Sequence, residues 1–121
     1  MPEHPQRRMQ PADRGLDVVR VSGRSMLPTL RDGDLLVVRA GARPRTGVVA
    51  VVRLPGGRPL SVKRLARRTP AGWWVERDNP AEGVDSWVVG EVPDDDVLAV
   101  GLLRLWPRPR WLTARARPVA G

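Results

Sequence analysis

The sequence predicts a mainly β protein, a compact and partly closed barrel or sandwich of short antiparallel strands. Three observations point there. Apolar runs are short and dominated by valine, a β-branched residue that suits a pleated surface. Glycine and proline, 12 and 13 of 121 residues, are scattered along the chain and leave little room for long helices. Turn signals recur at close spacing between the valine runs. A chain of this length makes one domain with a single core, and nothing in it repeats at a fixed period.

Each element follows from its residues. Residues 1–15 are polar, with Pro2, Pro5 and Pro11, and read as a disordered tail. Residues 16–22 (LDVVRVS) read as a strand. Residues 23–30 (GRSMLPTL) must turn, because Gly23 and Pro28 bracket them. A second turn at 32–34 leads into a strand at 35–39, and 41–47 is a loop. Residues 48–54 (VVAVVRL) are the strongest strand. Pro55, Gly56 and Gly57 then fold the chain back into 60–66 (LSVKRLA), most simply as a hairpin partner. After a turn at 69–72, residues 73–76 form a short strand and 78–86 a polar loop. Residues 87–92 and 97–105 are the last strands. Residues 107–121 are a Pro/Arg-rich tail, so the folded domain is 16–106.

Composition removes several functions. Without cysteine there is no disulfide and no thiolate metal site, which suits a reducing compartment. The N-terminal residues lack the apolar stretch of a secretory leader. No apolar run approaches the roughly 20 residues that a membrane helix needs. A soluble cytoplasmic protein without a transmembrane segment is expected. The net charge of +8 comes from arginines spread along the whole chain, which read as general surface charge. No nucleic-acid motif accompanies them, so nucleic acid is not expected as a partner. The single histidine, His4, lies in the N-terminal tail, which leaves a Ser–His–Asp triad without its base. Asp32, Asp34 and the acidic run 94–96 sit in turns as solvated residues, and no metal or cofactor is expected.

Lysine usage is informative. Of 21 basic residues, Lys63 alone is lysine. Arginine keeps its proton near neutral pH, whereas a buried lysine can lose it. A position that keeps lysine against this bias is a candidate for a neutral amine, although one lysine has to stand somewhere. With period two, Ser61, Lys63 and Leu65 share a strand face, and apolar surroundings would desolvate the amine. The plainer alternative is a strand lysine whose ammonium reaches water. Ser25 stands on the turn between Gly23 and Pro28. There a serine can present its hydroxyl and its backbone N–H together, as nucleophile and oxyanion donor. A turn serine that only satisfies nearby backbone groups is the commoner case. A neutral Lys63 within reach of Ser25 could take the hydroxyl proton and later pass it to a leaving amine.

Four segments in order resemble the signal peptidase I family of serine peptidases. SGRSMLPTLRDGD (22–34) is similar to its nucleophile box, GVVAVVRL (47–54) to the next strand, SVKRLARR (61–68) to its lysine box, and DNPAEGVDSWVVGEVP (78–93) to its last box. The resemblance runs from about residue 18 to residue 106. It implies the signal peptidase and repressor-cleavage fold and a serine endopeptidase with a Ser–Lys dyad. Ser25 corresponds to the nucleophile and oxyanion N–H donor, and Lys63 to the general base. Arg64 and Asp85 correspond to a charge pair tying the lysine strand to the last loop, and Ser86 to a hydroxyl that orients the lysine. Met26 and Pro28 correspond to residues shaping the turn and the substrate cleft. The implied partner is a precursor protein bound as an extended strand. Three positions depart from the family pattern. Gly23 stands where some members carry a second oxyanion hydroxyl, Gly83 where a serine is frequent, and Trp87 where an arginine is frequent.

The stretch 61–80 (SVKRLARRTPAGWWVERDNP) and the lack of an anchor resemble the subgroup that matures nickel-type superoxide dismutase by removing its propeptide. Self-cleaving repressor domains share the fold and the dyad and form the second reading. They rank lower because fifteen polar residues are too few for an upstream helix-turn-helix, and because the Met-x-Pro-Thr sequence and the DNPAEGVDS loop fit the peptidase better. General signal peptidases of exported preproteins, and a non-catalytic module that adds peptides to a sheet edge, are further alternatives.

Overall fold

The computed structural model describes residues 15–112. Residues 1–14 of the expected 1–15 tail, with His4, and residues 113–121 lie outside the described residues. The strands are β1 (Leu16–Arg20), β2 (Leu35–Ala40), β3 (Val49–Arg53), β4 (Leu60–Thr69), β5 (Gly72–Glu76), β6 (Val92–Pro93), β7 (Val97–Trp106) and β8 (Arg110–Trp111). A single helical turn, α1 (Ser86–Val89), precedes β6, and a 3-10 turn (Asp94–Asp96) follows it. The strands make one curled sheet in the order β1-β2-β7-β3-β4-β5-β6, with β8 paired to β7. Every pairing is antiparallel. The mainly β expectation is met.

The sheet curls around β3. Val49 and Val51 face one cluster with Val19, Met26, Leu30, Leu36 and Val38. Ala50 and Val52 face another with Leu54, Leu65, Trp73, Val75 and Val92. A strand buried on both faces needs apolar residues at successive positions, which is why this stretch is the strongest strand signal. The single core expected from chain length is therefore divided by its own central strand.

The β3–β4 hairpin forms as predicted, with Ala50 opposite Lys63 and Val52 opposite Ser61. Residues 87–92 depart from the predicted strand. Asp85 stands ahead of them as a helix N-cap, its carboxylate accepting the Trp87 N–H at 3.1 Å, and Gly90 at φ 85° ends the turn. This local cap outweighs the β propensity of Trp-Val-Val. The sheet also continues past Trp106, because Trp111 pairs with Leu103 and Arg110 with Arg104 in the stretch expected as tail.

Gly72 starts β5 at φ 154°, and a Cβ there would run into the Val92 carbonyl oxygen across the strand pair. Gly72→Ala should therefore push β6 off β5 and lower stability by at least about 1 kcal/mol, seen as a lower urea midpoint. An unchanged midpoint would mean that this close approach does not constrain the fold.

Candidate active site

Two elements meet at the site. The first is the turn at 22–30 between β1 and β2. Its Met26 and Leu30 side chains are buried in the core, which pulls the turn onto the sheet. Asn79 holds the turn from the other side. Its N–H donates to the Ser25 carbonyl at 2.8 Å, and its Nδ2 donates to the Arg24 carbonyl at 2.9 Å. A trans peptide points its N–H opposite to its C=O, so the Ser25 N–H faces away from Asn79.

The second element is β4. Lys63 and Arg64 are adjacent, so they leave opposite faces of the strand. Arg64 is buried and makes a two-pronged pair with Asp78, Nε to Oδ1 at 2.8 Å and Nη2 to Oδ2 at 2.6 Å. Its Nη1 donates to the Gly47 carbonyl at 2.7 Å, and Thr29 of the nucleophile turn donates its hydroxyl to Asp78 at 2.5 Å. One carboxylate thus joins β4 to the turn that carries Ser25. On the opposite face, Lys63 is only 5% exposed, and its Nζ lies 2.7 Å from Ser25 Oγ.

Burial pulls the Lys63 ammonium down from its usual 10.5 to about 8. Asp85 pulls it back up, and Arg77 pushes it further down. The amine thus titrates near 8, within hydrogen-bond distance of the Ser25 hydroxyl. A cleft of about 270 Å³ opens over the pair. Arg24, Ser25, Leu54, Arg58, Lys63 and Glu82 are among its lining residues. Gly83 closes its back wall. At φ 114°, a Cβ on Gly83 would lie 2.5 Å from Ser25 Cβ, so a serine there would displace the nucleophile turn.

The structure brings Ser25 and Lys63 together and places the other expected residues differently. The partner of Arg64 is Asp78, not Asp85. Asp85 instead pairs with Arg77, Nη1 to Oδ2 at 3.1 Å, and caps α1. Both acids flank the same loop, and their spacing from Arg64 could not choose between them. The Ser86 hydroxyl, expected beside the lysine, accepts the Val75 N–H at 2.8 Å and so ties α1 to β5. Met26 points into the core and Pro28 lies on the surface, and neither lines the cleft. Trp87 anchors its loop differently from an arginine. Its Nε1 donates to Glu76 at 2.8 Å and its ring meets Trp74 edge-on at 5.1 Å. Asp78, Asn79 and Thr29 were legible only as members of the boxes. Nothing in the sequence announced that they converge.

A curled antiparallel sheet that presses a buried lysine amine onto a turn serine defines the Ser–Lys class of peptidase-like domains. The chain belongs to the Peptidase S24-like family, whose profile matches residues 6–101. It is similar to the LexA repressor of Acidovorax sp. (strain JS42), 40% identical over 88 residues, and to that of Delftia acidovorans, 39% identical over 92 residues. The LexA repressor of Verminephrobacter eiseniae is also 40% identical over 88 residues. Each match covers 72% of this chain and 38% of the relative, so the chain spans little more than a third of their length. These relatives are repressors, the class expected here as the second reading. No helix among the described residues is long and apolar enough to cross a membrane.

Asp78→Asn would leave the Arg64 guanidinium buried opposite a neutral amide. Loss of a partner from a buried pair costs about 3–5 kcal/mol. Chemical denaturation should show a loss of that size, and a loss below about 1 kcal/mol would remove Asp78 as the joint between β4 and the nucleophile turn.

Proposed function

We propose that this domain is a serine endopeptidase that works through Ser25 and Lys63. The observation that carries this reading is the 2.7 Å approach of a desolvated amine to a turn hydroxyl at the floor of an open cleft. The substrate lies in the cleft as an extended strand. As Ser25 Oγ attacks the scissile carbonyl carbon, Lys63 Nζ takes the hydroxyl proton. The Ser25 N–H donates to the oxyanion. The ammonium then gives its proton to the leaving amine, the C–N bond breaks, and an acyl-serine ester remains. Water, deprotonated by the same amine, hydrolyses that ester and restores Ser25. A bound strand also excludes water from Lys63 and favours the neutral amine further.

For the substrate, the repressor relatives favour a peptide segment joined to the domain itself. A separate precursor, nickel-type superoxide dismutase cut after its propeptide, is the second reading. It rests on the resemblance of residues 61–80 to that subgroup. Either substrate would be met in the cytoplasm, a location consistent with the absence of cysteine. Neither reading needs nucleic acid as a partner. Intact-mass measurement of the purified chain over time, and of a dismutase precursor co-expressed with it, separates the two. A Ser25-dependent cut in the chain supports the first and a Ser25-dependent cut in the precursor the second. If both stay whole, both assignments fall.

The mechanism has its own test. Lys63→Arg should abolish cleavage, because arginine stays protonated. Cleavage by that variant at the parent rate would remove the general-base role. In the parent, kcat/KM should climb about tenfold per pH unit below a midpoint near 8 and level off above it, as the amine becomes neutral. At pH 7 roughly a tenth of the amine is free base. A flat profile between pH 6 and 9 would contradict a lysine base.

A further inference from the structure

Arg77 follows β5 and opens the loop that returns to α1. It is absent from the expected site residues, yet it binds that loop at Asn79, Pro80 and Asp85. Its Nε donates to the Asn79 carbonyl at 3.0 Å and its Nη2 to the Pro80 carbonyl at 3.1 Å. Its Nη1 pairs with Asp85 at 3.1 Å, and its own N–H donates to the same carboxylate at 3.0 Å. A Cβ on Gly83 would lie 3.3 Å from Arg77 Cδ, so the arginine stem runs behind the glycine that abuts Ser25. The first turn and the end of the loop are therefore gathered on one guanidinium.

The gathered loop touches the nucleophile turn at Asn79, through the Ser25 and Arg24 carbonyls, and at Gly83, through Ser25 itself. We infer that Arg77 is a positioning residue: it seats the 77–85 loop behind Ser25 and neutralises the buried Asp85 carboxylate at the end of that loop. This rests on the Ser25–Lys63 reading above. The Asp85 side chain is almost fully buried, so its charge is poorly screened by water, and a fixed cation 3.1 Å away matters to any amine nearby.

The other charges around Lys63 are few. Arg24 on the nucleophile turn, Arg58 on the β3–β4 connection and Glu82 in the loop line the cleft and are exposed, so solvent screens them. Arg64 and Asp78 compensate each other on the far face of β4. Asp85 raises the Lys63 value and Arg77 lowers it, so a neutralised Asp85 favours the free amine.

Because Lys63 is the only lysine, ¹³C-lysine labelling of the full chain gives one side-chain signal whose titration needs no substrate. In the parent its midpoint should lie near 8. Arg77→Gln removes the charge, and the midpoint should move up toward 10.5. Each unit of that rise would cut the free amine at pH 7 about tenfold. Arg77→Lys keeps the charge and loses the fork. Its Lys63 midpoint should stay with the parent, while a second signal from residue 77 titrates near the ordinary lysine value. Both variants should exchange the Asn79 amide proton faster, since both release the two carbonyls.

A Gln variant with the parental midpoint, or a Lys variant whose Lys63 midpoint rises as well, would overturn the electrostatic role. Unchanged exchange at Asn79 would overturn the seating role. If the Gln variant does not fold, the Lys variant still decides the seating role through Asn79 exchange, and Arg77→Met replaces the Gln variant as the charge-free test of the midpoint. A parental midpoint of 10.5 is a separate result, which would sink the Ser–Lys reading itself.

Discussion

The buried fork between Arg64 and Asp78 is the interaction from which the rest of the site follows. It is expensive in isolation, because two charges leave water for a protein interior. It is tolerable here because the remaining valences are used: Gly47 accepts from the guanidinium and Thr29 donates to the carboxylate. The return is geometric. With Arg64 locked to one face of β4, the neighbouring side chain has only the other face available, and Thr29 brings the serine turn to meet it. The dyad is therefore held by groups that never face the cleft.

Desolvation is the second constraint, and it acts on the one residue that can respond by changing its protonation. Lys63 lies opposite Ala50 and between two residues of an apolar cluster, Val52 and Leu65, that continue the same surface. An arginine in that environment would keep its charge and demand a counter-ion, as Arg64 does one position away. The contrast between adjacent side chains, one paired and charged, the other desolvated and titratable, is the electrostatic design of the strand.

Much of this was legible in the sequence, and the gaps have physical causes. Ser25 stood out because Gly23 and Pro28 bend its backbone, and Lys63 because it is the only lysine among arginines. The strands were legible because valine runs and glycine turns are local signals. The helical turn at Ser86–Val89 was missed because its residues favour strands, and only a side chain ahead of them, Asp85, says otherwise. The partner of Arg64 was assigned to the wrong acid because pairing depends on how the 77–85 loop folds back, which spacing does not encode. Met26 was expected, from the family resemblance, to shape the turn and the cleft; it shapes the turn by packing into the core and does not line the cleft. Arg77 gave no signal, since two of its contacts are to carbonyls that any sequence would supply and its acid, Asp85, meets it only once the loop has folded back.

The β3–β4 hairpin sets Ala50 opposite Lys63 and Val49 opposite Arg64. A slip of a single residue in that ladder would exchange the faces, sending the guanidinium toward the serine and the amine toward Asp78. Such a slip would also swap Val62 and Leu65 between the two apolar clusters and leave Arg64 without its acid, so the packing that selects the register also selects the dyad. The connection at residues 54–59, remote from Asp78, where Gly56 and Gly57 take positive φ, also bears on which cation meets the hydroxyl. Alignment of two strands is what guards the chemistry.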